Sequence, residues 1–251
     1  MKSVKQNFDE VSDNYVKSYT KPSSVLDYEK IQRMKTAVEF AGDFRSNKIL
    51  DVGTGSGEFM KQMLQKSNAD IYAMDISSKM LRVNKIHNRD IPKIQANTYS
   101  LPFKSGVFDL ISCLGVLGYI NDEKLEKTMK EYARILKPNG NVIFSFANSN
   151  SPFRKVRQFH NNTILPTAKR VTGLGNLRNY RYKSYPVSEI QNTLAASGLE
   201  IINKKFLTYS SGLGSDRLNL KSEPLAKKIC RASGHKEYGM SCIILAAKND
   251  C

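Results

Sequence analysis

From residue 30 onward the chain alternates two patterns: short apolar runs with little polar interruption, and longer stretches where apolar residues return every three or four positions. The first reads as a strand buried on both faces, the second as an amphipathic helix. The strands are "NKILDV" (47–52), "ADIYAMDI" (69–76), "IPKIQAN" (91–97), "VFDLISCL" (107–114) and "NVIFSFAN" (141–148). Between them lie the helices "GEFMKQMLQK" (57–66), "SSKMLRVNKIHN" (77–88), with serine available as a cap, and "DEKLEKTMKEYARILK" (122–137), stopped by the turn "KPNG" (137–140). This alternation predicts an α/β fold with a doubly wound, Rossmann-like, mostly parallel sheet, which takes ligands beyond the carboxyl ends of its strands.

The two ends of the chain break the rhythm. "PVSEIQNTLAASGLEIINKKFLTY" (186–209) reads as helix, glycine stop and strand, and "GMSCIILAAK" (239–248) as a last strand. These late strands are expected to pair antiparallel at the sheet edge. Residues 149–185, with their Asn, Ser, Pro and Arg content, read as an insertion above the sheet after the fifth strand. Residues 1–45 read as an N-terminal helical lid: "YEKIQRMKTAVEFA" (28–41) has helical spacing, and "VSDNYVKSY" (11–19) before it reads as mobile. The expected organisation is a lid over 1–45 and a core over 46–251 that carries the insertion.

Charge alters this ordinary picture. The formal net charge is +16, and no acidic residue occurs between Glu131 and Glu189. That stretch holds ten basic residues, among them Arg154, Arg157, Arg178 and Arg181. It is either a solvated basic surface or a rim for something anionic: phosphate, nucleic acid or an acidic lipid headgroup. The N-terminus is too polar for a secretory signal, and the longest apolar stretch, Val107–Ile120, contains Asp109 and cannot span a bilayer. Four cysteines without paired or metal-ligand spacing suit a reducing, cytoplasmic setting.

"ILDVGTGSGEFM" (49–60) carries the chemistry. A strand ending in Asp51 is followed by glycines at 53, 55 and 57 and then by a helix. Backbone amides and a helix N-terminus presented this way cradle a nucleotide. The spacing departs from the dinucleotide fingerprint, because Glu58 stands where the third glycine belongs. Asp75 ends the second strand, where a carboxylate accepts ribose hydroxyls or caps a helix. Asn97 ends the third, where an amide meets an adenine edge or makes a turn.

Taken in order, "ILDVGTGSGEFM", "YAMDISSKML", "ANTYSLPFKSGVFDLI" and "YARILKPNGNVIFSF" resemble the successive motifs of the class I S-adenosylmethionine-dependent methyltransferases. The branch most similar contains the ubiquinone and menaquinone methyltransferases and natural-product and sugar methyltransferases. "FDEVSDNY" (8–15) is similar to that branch's N-terminal signature, with Val16 where an aspartate is common. The resemblance implies S-adenosylmethionine as methyl donor, S-adenosylhomocysteine as product, and no metal. It places Asp51, Gly53, Gly55 and Gly57 in the loop at the methionine end. Asp75 falls on the ribose, Ile76 and Met80 flank the adenine, and Asn97, in place of an aspartate, meets the adenine amino group beside Thr98. Cys113 and Leu114 lie by the methionine.

The acceptor side is less marked. Where the family often shows two histidines, this chain has Gly118 and Tyr119. Tyr15, Tyr19 and Tyr119 are candidates to line an acceptor pocket, His160 is a candidate base, and Arg154, Arg157, Arg178 and Arg181 are candidates to hold an anionic acceptor. Three functions stay open. The first is methylation of a small anionic or carrier-linked molecule, such as a sugar phosphate, nucleotide-sugar, isoprenoid or lipid, with peripheral membrane contact as a variant. The second is RNA methylation over the basic stretch 132–188. The third is a non-catalytic binding protein on the same fold.

Overall fold

Residues 3–20, 22, 25–42, 48–84, 91–159, 182–208 and 236–249 are described by a computed structural model. The apolar runs form β1 (Lys48–Val52), β2 (Asp70–Asp75), β3 (Lys93–Gln95), β4 (Phe108–Cys113) and β5 (Leu136–Asn148). The late strands are β6 (Ser184–Tyr185), β7 (Leu199–Leu207) and β8 (Ser241–Lys248). Around them lie α1 (Val4–Thr20), α2 (Val25–Gly42), α3 (Glu58–Lys66), α4 (Ser78–Val83), α5 (Asp122–Ile135), α6 (Pro152–Phe159) and α7 (Val187–Ala195).

The strands follow the order β3-β2-β1-β4-β5-β8-β7, with β6 paired to β5. β1 to β5 run parallel, and β8 is antiparallel to both neighbours. The late pair is antiparallel as expected, but the last strand lies inside the sheet and β7 forms the edge.

Successive residues of a strand face opposite ways, so the sheet carries two cores. Leu50, Ile111 and Phe144 pack on one side with Leu125, Met129 and Tyr132 of α5 and Ile190 and Leu194 of α7. Ile49, Leu110 and Ile143 pack on the other with Phe59, Met60 and Met63 of α3 and Ala37, Val38 and Phe40 of α2. Half of the expected lid is thus a core layer. The segment 11–19, expected to be mobile, is helical within α1, which packs on α4.

One boundary differs for a physical reason. "KPNG" does not separate α5 from β5. The strand begins at Leu136, paired with Phe108, and the turn is a bulge before Asn141 pairs with Leu110. Asn139 takes the left-handed φ of 57° that this needs. α4 runs from Ser78 to Val83, where Asn84 turns away, and residues 85–88 of the expected 77–88 lie outside the described residues. Asp109, the acid inside an apolar strand, accepts from the Lys48 amide at 2.8 Å and pairs with Lys137 at 2.9 Å. Among the described residues no helix is long and apolar enough to cross a membrane.

Candidate functional site

The carboxyl ends of β1, β2 and β4 open into one cavity of about 260 Å³. Its floor is backbone. Gly53 and Gly55 hold φ of 68° and 51°. Gly53 and Thr54 amides donate to the Met74 carbonyl at 2.8 and 3.0 Å, which locks the turn onto β2. A Cβ on Gly53 would collide with Val116 Cγ2, and one on Gly55 would stand 2.9 Å from the Tyr15 ring. The loop therefore needs glycine for its left-handed backbone and also for closeness to what covers it.

Asp75 closes the turn from the other side. Its Oδ2 accepts from the Gly55 amide at 3.0 Å and its Oδ1 from the Ser77 amide at 2.9 Å. A carboxylate has about four lone-pair sites, so it can still accept a ligand hydroxyl beside these backbone bonds. Burial raises its pKa, and the backbone bonds hold it down in part. Asp51 is buried behind the loop. Burial raises it from 3.8 to about 6, against the hydrogen bonds from Ser112 and Thr54.

The far walls are side chains. Ile76, Met80, Asn97 and Thr98 line one end of the cavity, and Leu114, Gly115 and Val116 another. Helix α1 lays Val4, Phe8 and Tyr15 across the top, and Tyr119 faces them from the loop after β4. The rings meet edge to face: Phe8 with Tyr119 at 5.1 Å, Phe8 with Tyr15 at 6.5 Å, and Tyr119 with Tyr182 at 4.9 Å. Asp9 fastens this cover. It accepts from Ser77 Oγ at 2.6 Å, while Ser77 caps α4 by accepting from the Met80 amide at 3.0 Å. That bond, more than any other cause, lowers the Asp9 pKa.

Of the residues singled out in the sequence, Gly53, Gly55, Asp75, Ile76, Met80, Asn97, Thr98, Leu114, Tyr15 and Tyr119 share this cavity. Others stand away from its walls. Cys113 is fully buried and accepts from Tyr132 Oη, the same hydroxyl that meets Thr98. Gly57 caps α3 with φ of 84°. Tyr19 backs Tyr15 at 5.8 Å. Arg154, which does not line the cavity, donates from Nε and Nη2 to the Met240 carbonyl, at 3.1 and 2.9 Å, beside the start of β8. The side chain of Arg157 and all of His160, Arg178 and Arg181 lie outside the described residues.

The sequence reading missed Val4, Phe8, Tyr99 and Lys124, which also line the cavity. Phe8 opens the "FDEVSDNY" signature and was findable there; no spacing marks Tyr99 and Lys124, which pair with Nζ 4.3 Å from the ring centre. The missing histidines have a physical counterpart. A Cβ on Gly118 would stand 2.5 Å from the Tyr182 ring, so the room a side chain would take is filled from a distant segment. Among the described residues no group of three or more His, Cys, Asp or Glu is placed to hold a metal ion.

Residues 50–144 match the methyltransferase domain family. An uncharacterized protein of Methanocaldococcus jannaschii is 36% identical over 155 residues, 60% of this chain and 64% of that protein, so the chain spans just under two thirds of its length. The ubiquinone/menaquinone biosynthesis C-methyltransferase of Wigglesworthia glossinidia brevipalpis is 29% identical over 181 residues, 66% of this chain and 71% of that enzyme. In fold, the chain is similar to magnesium protoporphyrin IX methyltransferase from Synechocystis with bound S-adenosylhomocysteine. The TM-score there is 0.63 at 16% identity, covering 98% of each chain.

Proposed function

We propose, from the premise that this chain belongs to the class I S-adenosylmethionine-dependent methyltransferases, that it methylates a small, ring-bearing, anionic molecule held between the glycine turn and the aromatic cover. The cofactor is S-adenosylmethionine, which when bound supplies a methyl already activated on a sulfonium. The residues present suit it. Gly53 and Gly55 offer backbone without side chains, Asp75 keeps free lone pairs for ribose hydroxyls, and Ile76, Met80 and Asn97 suit an adenine. Asp51, ionised above about pH 6, contributes negative potential beneath the cationic end.

The observation that carries the small-molecule reading is the cover. α1 crosses the cavity mouth and is tied down at Asp9–Ser77, so the cavity of about 260 Å³ is partly covered by Phe8, Tyr15 and Tyr119. A base still attached to a polynucleotide would have to displace that helix. Aromatic walls favour a flat acceptor by edge-to-face contact, and Lys124 at the wall favours an acceptor with negative charge. The quinone-pathway relative supports the same class. Methyl transfer asks the protein chiefly to align the acceptor and exclude water, and packed rings do both.

The test is purified protein with methyl-labelled S-adenosylmethionine and a cell extract separated into lipid, small-molecule, RNA and protein fractions. Label in the lipid or small-molecule fraction is the expected result. Label in RNA would replace this reading with nucleic-acid methylation.

A further inference from the structure

Among the described residues three large apolar side chains stand exposed: Val156 at 48%, Phe159 at 64% and Ile202 at 54%. Two of them belong to one short helix, α6, where they lie three residues apart and so share a face. Pro152, also exposed, falls one turn before Val156 on the same stripe. Single apolar residues on a surface are ordinary, but a stripe of them along a helix marks a contact.

The helix is held so that this stripe points outward. Arg154, on the opposite side of α6, donates twice to the Met240 carbonyl, at 3.1 and 2.9 Å. Ser151, at its start, donates to the Tyr238 carbonyl at 2.7 Å and accepts from the Arg154 amide at 3.4 Å. Asn148, just before, donates to the carbonyls of Glu237 and Gly239 at 2.9 and 3.0 Å. Polar bonds therefore fasten the inner side, and the apolar side is left to solvent. Because α6 follows directly on β5, it stands at the carboxyl edge of the sheet, the edge on which the cavity also opens.

Charge decides what fits the stripe. Lys155 is exposed beside it, α6 carries Arg154, Lys155 and Arg157 and no acid, and no acidic residue occurs between Glu131 and Glu189. A basic helix with an outward apolar stripe matches the boundary of an anionic bilayer: the apolar groups enter the acyl region while cationic heads stay among the phosphates. We propose that α6 is a membrane foot, docking on an anionic phospholipid surface through Val156 and Phe159 with Lys155 on the headgroups. This docking does not rest on the methyltransferase reading. Joined to it, it brings the cavity's edge of the sheet to the bilayer and a lipid-borne acceptor within reach.

The experiment is cosedimentation of the full chain with vesicles of phosphatidylcholine alone, and of phosphatidylcholine with about one quarter phosphatidylglycerol. Wild type should bind the mixed vesicles at least about 10-fold more tightly than the neutral ones, and lose that advantage as salt rises. Val156→Ser and Phe159→Ser in one chain should weaken binding roughly 10- to 100-fold, and Lys155→Glu about 5- to 30-fold. Melting temperature and S-adenosylhomocysteine affinity should not move in either variant. The chain has no tryptophan, so Phe159→Trp supplies a single reporter. Its emission should shift to the blue on mixed vesicles and be quenched by brominated acyl chains. Undiminished binding by the double variant, or unshifted tryptophan on sedimented protein, would assign the effect to the overall charge and overturn the proposal. Absence of wild-type binding to mixed vesicles would do the same. So would a dimer, seen by size exclusion, that the double variant loses, since the stripe would then meet a second copy of the chain. Failure to bind S-adenosylhomocysteine would instead sink the cofactor reading and leave the docking untouched.

Discussion

The two sides of the cavity are built by different means. The floor is main chain: the Gly53–Gly55 turn, held to β2 by amide bonds to Met74 and Asp75. The cover is side chain: Phe8 and Tyr15 from α1, Tyr119 from the loop after β4, and Tyr182 from a segment well beyond β5. A backbone floor depends on a few local residues and tolerates little change. A side-chain cover is assembled from distant parts of the chain and can be repacked around a different guest. On the proposed methyltransferase reading, the donor side is therefore fixed by the turn, and the acceptor side is where specificity can drift.

Substitutions sharpen this contrast. The largest effect is expected at Gly53→Ala, where a left-handed φ and the clash with Val116 act together. Strain alone is worth about 1–2 kcal/mol, and S-adenosylhomocysteine affinity by calorimetry should fall at least 100-fold. Gly55→Ala meets only the Tyr15 ring, so Tyr15→Ala in the same chain should restore part of its loss in a double-mutant cycle. Full additivity there would separate floor from cover. Next comes Asp75→Asn, which takes the charge from the acceptor of the Gly55 and Ser77 amides. S-adenosylhomocysteine affinity should drop about 10- to 100-fold with a modest loss of melting temperature.

Asp51 supplies the pH test. Between about pH 3.8 and 6 the folded chain keeps a proton that the unfolded chain has released. Stability should therefore fall by about 3 kcal/mol as pH rises through that window and stay level above it. Asp51→Asn should abolish this fall, as read by denaturant midpoints at each pH. S-adenosylmethionine, a sulfonium cation, should bind tighter across the same window, and the neutral thioether S-adenosylhomocysteine should gain less. The smallest effect belongs to the cover. Asp9→Ala removes the bond to Ser77 and should speed S-adenosylhomocysteine release a few-fold in stopped flow with little change in melting temperature. An unchanged release rate would mean that α1 does not gate the cavity.

The same contrast explains what was legible in the sequence. The apolar runs of β1, β2, β4 and β5 and the glycine turn are local patterns, and they located the sheet, its parallel direction and the floor. Asp75 and Asn97 followed because each ends or follows a strand at the ligand-bearing edge, and Met80 followed from the family resemblance. Cys113 was misplaced because residues alternate sides along a strand: Cys113 faces Tyr132, and Leu114, one step on, reaches the cavity. Arg154 is basic in a basic stretch, yet its partner is a backbone carbonyl near β8, a contact no local pattern reveals. The Tyr182–Gly118 contact is likewise long-range, so only the folded chain discloses it.

The placement of β8 between β5 and β7 also sets an order of events at birth. A ribosome delivers β5 first, then β7, and only later the strand that must slot between them. Until it emerges, β5 presents an open edge along most of its length, and β7 lacks its strand partner. The nascent chain thus carries two adhesive borders until β8 is made, when exposed edges recruit neighbouring chains. The charges carried along β7, Lys204 and Lys205 among them, are well placed to keep that waiting strand soluble.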